Sequence, residues 1–168
     1  MIIGNRSRFA VEFEMNDPDQ NVLEGLYLWI NSEKFGGTEG WLSIRDVVFV
    51  MQDAMMYRGR RIDPDLFSLS GAEAFYRLHA ALYEGESEWA AIANREEWAR
   101  FQIAMSIGEL GDYQIFLIEN DLLRKGRIWI ADVTSRGSDM EVKEHELSYG
   151  EFDQVLSLTC EALERLSK

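Results

Sequence analysis

Glu119 and Asp121 follow a strongly apolar strand, Tyr113-Gln-Ile-Phe-Leu-Ile-Glu119, and are the carboxylates best placed for acid–base chemistry. Two carboxyl groups with separated proton affinities can give and take the protons of a hydrolytic step. The chain carries 30 Asp and Glu, however, so neighbouring carboxylates recur throughout it. A charged residue at a strand end is also the ordinary way a strand meets water, and that is the reading adopted here. Cys160 with His79 or His145 is the remaining nucleophile–base combination, and none of the three lies in a nucleophile motif. Two His and one Cys are too few for a His- and Cys-rich metal site. No Gly-x-Ser-x-Gly elbow is present. Gly36, Gly37 and Gly40 beside Lys34 suggest a phosphate cradle, but the Gly-Lys-Ser/Thr signature and its strand-to-helix setting are missing. The stretch 32–40 reads as a flexible turn. No catalytic, metal-binding or cofactor-binding residue is expected.

What remains are residue types suited to binding. Glu84, Glu86 and Glu88 place three carboxylates in five residues; Trp89 follows, then Glu96, Glu97 and Trp98. Interfaces draw on aromatic anchors ringed by polar groups. Trp41, Trp89 and Trp98 with these acids are therefore the candidate contacts, against the plainer alternative of an exposed acidic loop and core tryptophans. Arg58, Arg60 and Arg61 form the only tight basic cluster, and at a helix end they would offset its dipole. The formal charge of −13 over 168 residues argues against a nucleic-acid backbone or an anionic membrane as partner. It suits a basic partner drawn in electrostatically. With a single cysteine no internal disulfide can form, which fits a reducing compartment. Neither a membrane-length apolar run nor a secretory signal is visible, so a cytoplasmic protein is expected.

The elements that must position these residues follow from periodicity. Phe9, Val11, Phe13 and Met15 alternate with Ala10, Glu12 and Glu14, the pattern of a half-buried strand. After a turn at 16–19, Leu26, Leu28 and Ile30 alternate with Tyr27 and Trp29, which predicts an antiparallel hairpin. Ile44, Val47, Val48, Met51 and Met55 predict a helix over 43–57. Ser70 and Glu73 read as a capping box opening a helix to about Glu84, with Phe75, Leu78 and Leu82 inward and His79 structural. A short helix is expected over 88–95. Strands are expected over 99–107, 113–119 and 127–133, with a turn at 108–112, a loop at 120–126 and a turn at 135–139. A polar edge strand is expected over 140–147. Ser148 and Glu151 form a second capping box before a helix ending near Leu166, lined by Phe152, Val155, Leu156, Thr159 and Leu163, with Cys160 a small buried hydrophobe. No repeat or linker divides the chain. The expectation is one α+β domain over residues 1–168, a largely antiparallel sheet with two to four helices packed on it.

The opening Ile2-Ile-Gly4, a short polar turn, and Phe9-Ala-Val-Glu-Phe-Glu14 resemble the start of the immunity protein 42 family. The strand 112–119 and the segment Ser148-Tyr-Gly-Glu-Phe-Asp153 also look like that family's C-terminal half. The resemblance implies a non-enzymatic bacterial protein of contact-dependent growth inhibition or related polymorphic toxin systems. Such a protein binds its cognate toxin domain, for example a basic nuclease, and occludes it, working as a monomer or weak dimer. It supplies no fixed set of contact residues. Two other classes stand beside it: a small-ligand or regulatory binding module built around an apolar pocket, and an acid–base enzyme using Glu119 or Asp121.

Overall fold

The structure is a computed structural model that describes residues 1–15, 21–37, 40–85, 87–134 and 140–167. In chain order the elements are β1 (Ile2–Gly4), β2 (Phe9–Glu14), β3 (Val22–Leu23), β4 (Gly25–Ile30), β5 (Glu33–Gly37), β6 (Leu42–Ser43), α1 (Ile44–Ala54), α2 (Pro64–Ser68), α3 (Gly71–Tyr83), α4 (Ala90–Arg95), β7 (Tyr113–Asn120), β8 (Lys125–Asp132), β9 (Lys143–Ser148) and α5 (Glu151–Leu166). Short 3-10 turns cover Trp98–Phe101 and Gly108–Asp112. The result is an α+β protein with antiparallel sheets, as expected. The turns foreseen at 16–19 and 135–139 lie outside the described residues. The chain groups into two compact units: Met1–Arg58, Ala104–Tyr113 and Gly150–Lys168 form the first, Gly59–Ile103 and Gln114–Tyr149 the second.

In the first unit, β1-β2-β4-β5 make an antiparallel sheet. The predicted hairpin is β2 with β4, in the register Phe9↔Ile30, Val11↔Leu28 and Phe13↔Leu26. These six side chains are buried on one face; each contributes roughly 1.5–3 kcal/mol of apolar burial. Helix α5 covers β1 and β2 and also packs on α1, with the Phe152 and Phe9 rings 5.1 Å apart. Gly4 is needed where it stands. Its φ of 99° is left-handed, and a Cβ there would run into the Phe9 carbonyl and lie 2.9 Å from the Ala10 Cα.

The stretch 32–40 is not simply a turn, because Glu33–Gly37 is the outer strand of this sheet. Its pairing tolerates the glycines because Gly36 takes a φ of 95° and the 3-10 turn at 108–112 lies against it, with Leu110 beside Gly36. On the sheet's other face Glu12 accepts from the Trp29 indole at 2.5 Å and from Arg6 at 3.0 Å, and Lys34 sits 3.7 Å away. The Lys34 ammonium lies 3.5 Å from the Tyr27 ring centre.

The second unit holds the sheet β7-β8-β9. Strand β9 pairs antiparallel with β8 (Ile128↔His145, Ile130↔Lys143) and carries the expected run of charge. Trp129, Phe116 and Ile118 pack with Phe75, Leu78, Trp98 and Phe101 in one core. Helix α2 starts at Pro64, and Asp63 accepts the Leu66 N–H at 2.9 Å. In the Ser70 capping box only one half forms: Ser70 accepts from the Glu73 N–H at 3.3 Å, while the Glu73 carboxylate takes Arg77 at 2.9 Å. Helix α5 is entered through Gly150 at a φ of 75°, without a side-chain cap.

The strand expected over 99–107 is also corrected. Phe101, Ile103 and Met105 are buried as their alternation requires. But Glu97 turns left-handed and starts the 3-10 turn. Only Gln102, bridging Phe116, and the Ile103 N–H, donating to Ile115 at 2.9 Å, pair like a strand. The basic cluster does not serve a helix end either: α1 stops at Ala54, and Arg61 is fully buried in the second unit.

Candidate functional site

The carboxylates first considered for catalysis have separate structural settings. Glu119 is buried at the end of β7, its N–H donating to the Arg61 carbonyl at 2.7 Å. Asp121 is exposed and accepts the Leu122 N–H at 3.0 Å in the β7–β8 turn. Cys160 is buried on α5, and burial pushes its thiol up to about 11, the opposite of what a thiolate nucleophile needs. His79 is held on Gln114 at 2.6 Å and stacks between Phe75 and Tyr83. Among the described residues no group of three or more His, Cys, Asp or Glu could hold a metal ion.

The candidate contact residues fall in both units. Trp41 lies in the first unit and is 67 % exposed. The rest lie in the second. Glu84 is exposed at the C-terminal end of α3, its carboxylate 4.0 Å from His79 Nε2. Glu86 lies outside the described residues. Glu88 is exposed. Trp89 is half-buried before α4, with the Arg77 guanidinium 4.1 Å from its ring centre. Trp98 is buried in the core and donates to Glu96 at 3.2 Å. Glu96 also accepts from Arg95 at 3.1 Å; these bonds, the Arg95 one foremost, hold its carboxyl below the usual range. Glu97 pairs with Arg60 at 2.8 Å. The acids at 96 and 97 are thus matched by arginines of the same unit, whereas Glu84 and Glu88 project from the α3–α4 connection.

Two aromatic residues missing from the sequence reading stand on the outer flank of α3. Tyr76 and Tyr83 are both exposed and are seven residues apart, hence on one side of the helix. Their spacing was the available signal, but the neighbouring stripe Phe75, Leu78 and Leu82 has the same period. Tyr76 donates to the Met140 carbonyl at 3.2 Å, and Gln102 bonds the Tyr83 hydroxyl. The flank therefore presents rings with polar edges next to Glu84, the chemistry of a protein contact surface. In the first unit an open groove of about 480 Å³ runs between α1 and α5, with Ile44, Val48 and Phe49 on one side and Glu164 on the other.

Residues 1–159 match immunity protein 42. The chain belongs to that family. The crystal structure of CdiI from Burkholderia dolosa AUO158 has the same fold, with a TM-score of 0.70 over 96% of this chain and 99% of that chain, at 18% sequence identity. No curated protein matches the sequence. The beginning of this immunity protein 42 member, Ile2 to Glu14, is the β1–β2 pair that α5 covers. The opening residues that carry the resemblance thus help build the first unit's core, whereas residues 114–119 lie in the second unit. Among the described residues no helix is long and apolar enough to cross a membrane.

Proposed function

We propose that this immunity protein binds a cognate bacterial toxin domain and neutralises it without catalysis, by covering the toxin's working surface. Family membership over residues 1–159 is the observation that carries this reading. The partner is a basic toxin domain met in the cytoplasm, for which a nuclease is the natural example. The formal charge of −13 supports that choice, since a basic surface meets an attractive field well before contact. On this reading the contact uses the outer flank of α3 and the α3–α4 connection, where Tyr76, Tyr83, Glu84 and Glu88 are exposed and Trp89 half-buried. The immunity protein works as a monomer or weak dimer.

The test is co-expression with the domain encoded immediately upstream of this gene, followed by titration calorimetry on the purified pair. Host survival and a one-to-one complex are expected. Reversing both charges in E84K/E88K should weaken binding about tenfold or more and leave the melting temperature in place. If the host dies and the pair does not associate, the immunity reading fails for that toxin. Survival with an unchanged E84K/E88K affinity moves the contact away from α3.

A further inference from the structure

The β7–β8 turn, Asp121 to Arg124, is built unlike a solvent-exposed turn. Leu122 is 88 % exposed and Leu123 58 % exposed. Turn chemistry does not ask for either leucine. The Asn120 carboxamide accepts the Leu123 N–H at 2.9 Å, and the Asp121 carboxylate accepts the Leu122 N–H at 3.0 Å, so the flanking polar residues already satisfy the backbone. The turn is also fixed at its base. The Tyr149 N–H donates to the Arg124 carbonyl at 3.1 Å, and the Arg124 guanidinium lies 4.7 Å from the Tyr149 ring centre.

Arg124 has a φ of 55°, a left-handed position that glycine fills at less cost. At this position the chain carries a cation directly after the two leucines. The turn thus holds two leucines outward, with the exposed Arg124 cation beside them over the Tyr149 ring, in a chain whose formal charge is −13.

We infer that Leu122, Leu123 and Arg124 form an apolar plug that enters a pocket of the toxin domain, a pocket lined with apolar side chains and bearing a carboxylate at its rim. The inference rests on the immunity reading. A convex apolar tip needs a concave apolar acceptor, and the adjoining cation sets the charge of the acceptor's rim. The acids of the chain steer the partner from a distance, and the tip supplies the short-range anchor that governs dissociation.

The test compares wild type with L122N/L123N and with R124G in calorimetry against the purified domain encoded immediately upstream. Hydroxyl-radical footprinting of the wild-type complex runs alongside. R124G removes the charge and the Tyr149 ring contact but keeps the Tyr149 N–H bond to the residue-124 carbonyl, at a backbone position that suits glycine. The expected results are a loss of about a hundredfold for L122N/L123N, about tenfold for R124G, and protection of both leucines from oxidation in the complex. Melting temperatures should stay within a few degrees of wild type. A loss under tenfold for L122N/L123N, with the leucines oxidised as fast in the complex as alone, overturns the plug while wild-type binding keeps the immunity reading intact. Failure of the wild type itself to bind overturns both. If light scattering shows a wild-type dimer that L122N/L123N abolishes, the acceptor is a second copy of this chain, and the toxin pocket is overturned.

Discussion

Glu12 illustrates how a single side chain can be set by its surroundings. Burial works to raise its carboxyl, but the Trp29 and Arg6 bonds, together with the charges of Lys34 and Arg6, outweigh it and hold the group below its ordinary 4.5. A carboxyl lowered on folding stabilises the protein fully above its unfolded value and loses that contribution as pH falls through the folded one. Urea unfolding at pH 7 should therefore find E12Q less stable than wild type by about 1–2 kcal/mol. At pH 3 the gap should narrow, and a gap that widens on acidification would contradict the assignment. Such settings were only partly legible. The alternation of Phe9 to Glu14 placed Glu12 on the face opposite Phe9, Val11 and Phe13, but that face is less wet than expected, with Ala10 buried and Glu12 largely covered. The full burial of Arg61 and Asp153, and the near-complete burial of Glu119, were invisible, because a buried charge depends on groups brought near by the fold and not by the chain.

Arg127 does comparable work between elements of the second unit. From β8 it bonds Glu144 of β9 at 2.6 Å, the Leu69 carbonyl at 2.7 Å and the Phe67 carbonyl. One guanidinium thus joins the α2–α3 segment to the sheet. Arg127→Ala should cost about 2–4 kcal/mol, read as a lower urea midpoint, and Arg127→Lys should recover less than half, because an ammonium cannot make the planar fork. Element reading from sequence succeeded where an apolar period was long, as in β2, β4, β7, α3 and α5. It failed at β5, whose Glu-Lys-Phe-Gly-Gly has no period and whose glycines leave room for Leu110 and Glu109 to approach closely. It half-failed at 99–107, where alternation fixed the burial of Phe101, Ile103 and Met105 but not the backbone pairing. On α3 two sets of large side chains share one helical spacing, and spacing alone does not say which set faces water. The exposed tyrosines therefore went unnoticed.

For the molecule as a whole, the proposed function makes charge the leading influence on the first encounter. The association rate with a basic toxin domain should fall roughly tenfold as ionic strength rises from low to physiological values, while dissociation changes little, as stopped-flow mixing would record. A rate indifferent to salt would mean that the −13 charge has no part in recognition. The segment order of the first unit has a consequence of a different kind. Its sheet is written in the first 37 residues, yet the helix that covers β1 and β2 begins at Glu151. On the ribosome the apolar face of that sheet waits on the order of ten seconds for its lid. A nascent chain in that interval exposes Phe9, Val11 and Phe13, an apolar surface prone to aggregate. Any premature stop before Gly150 leaves the cell with a sticky fragment in place of protection.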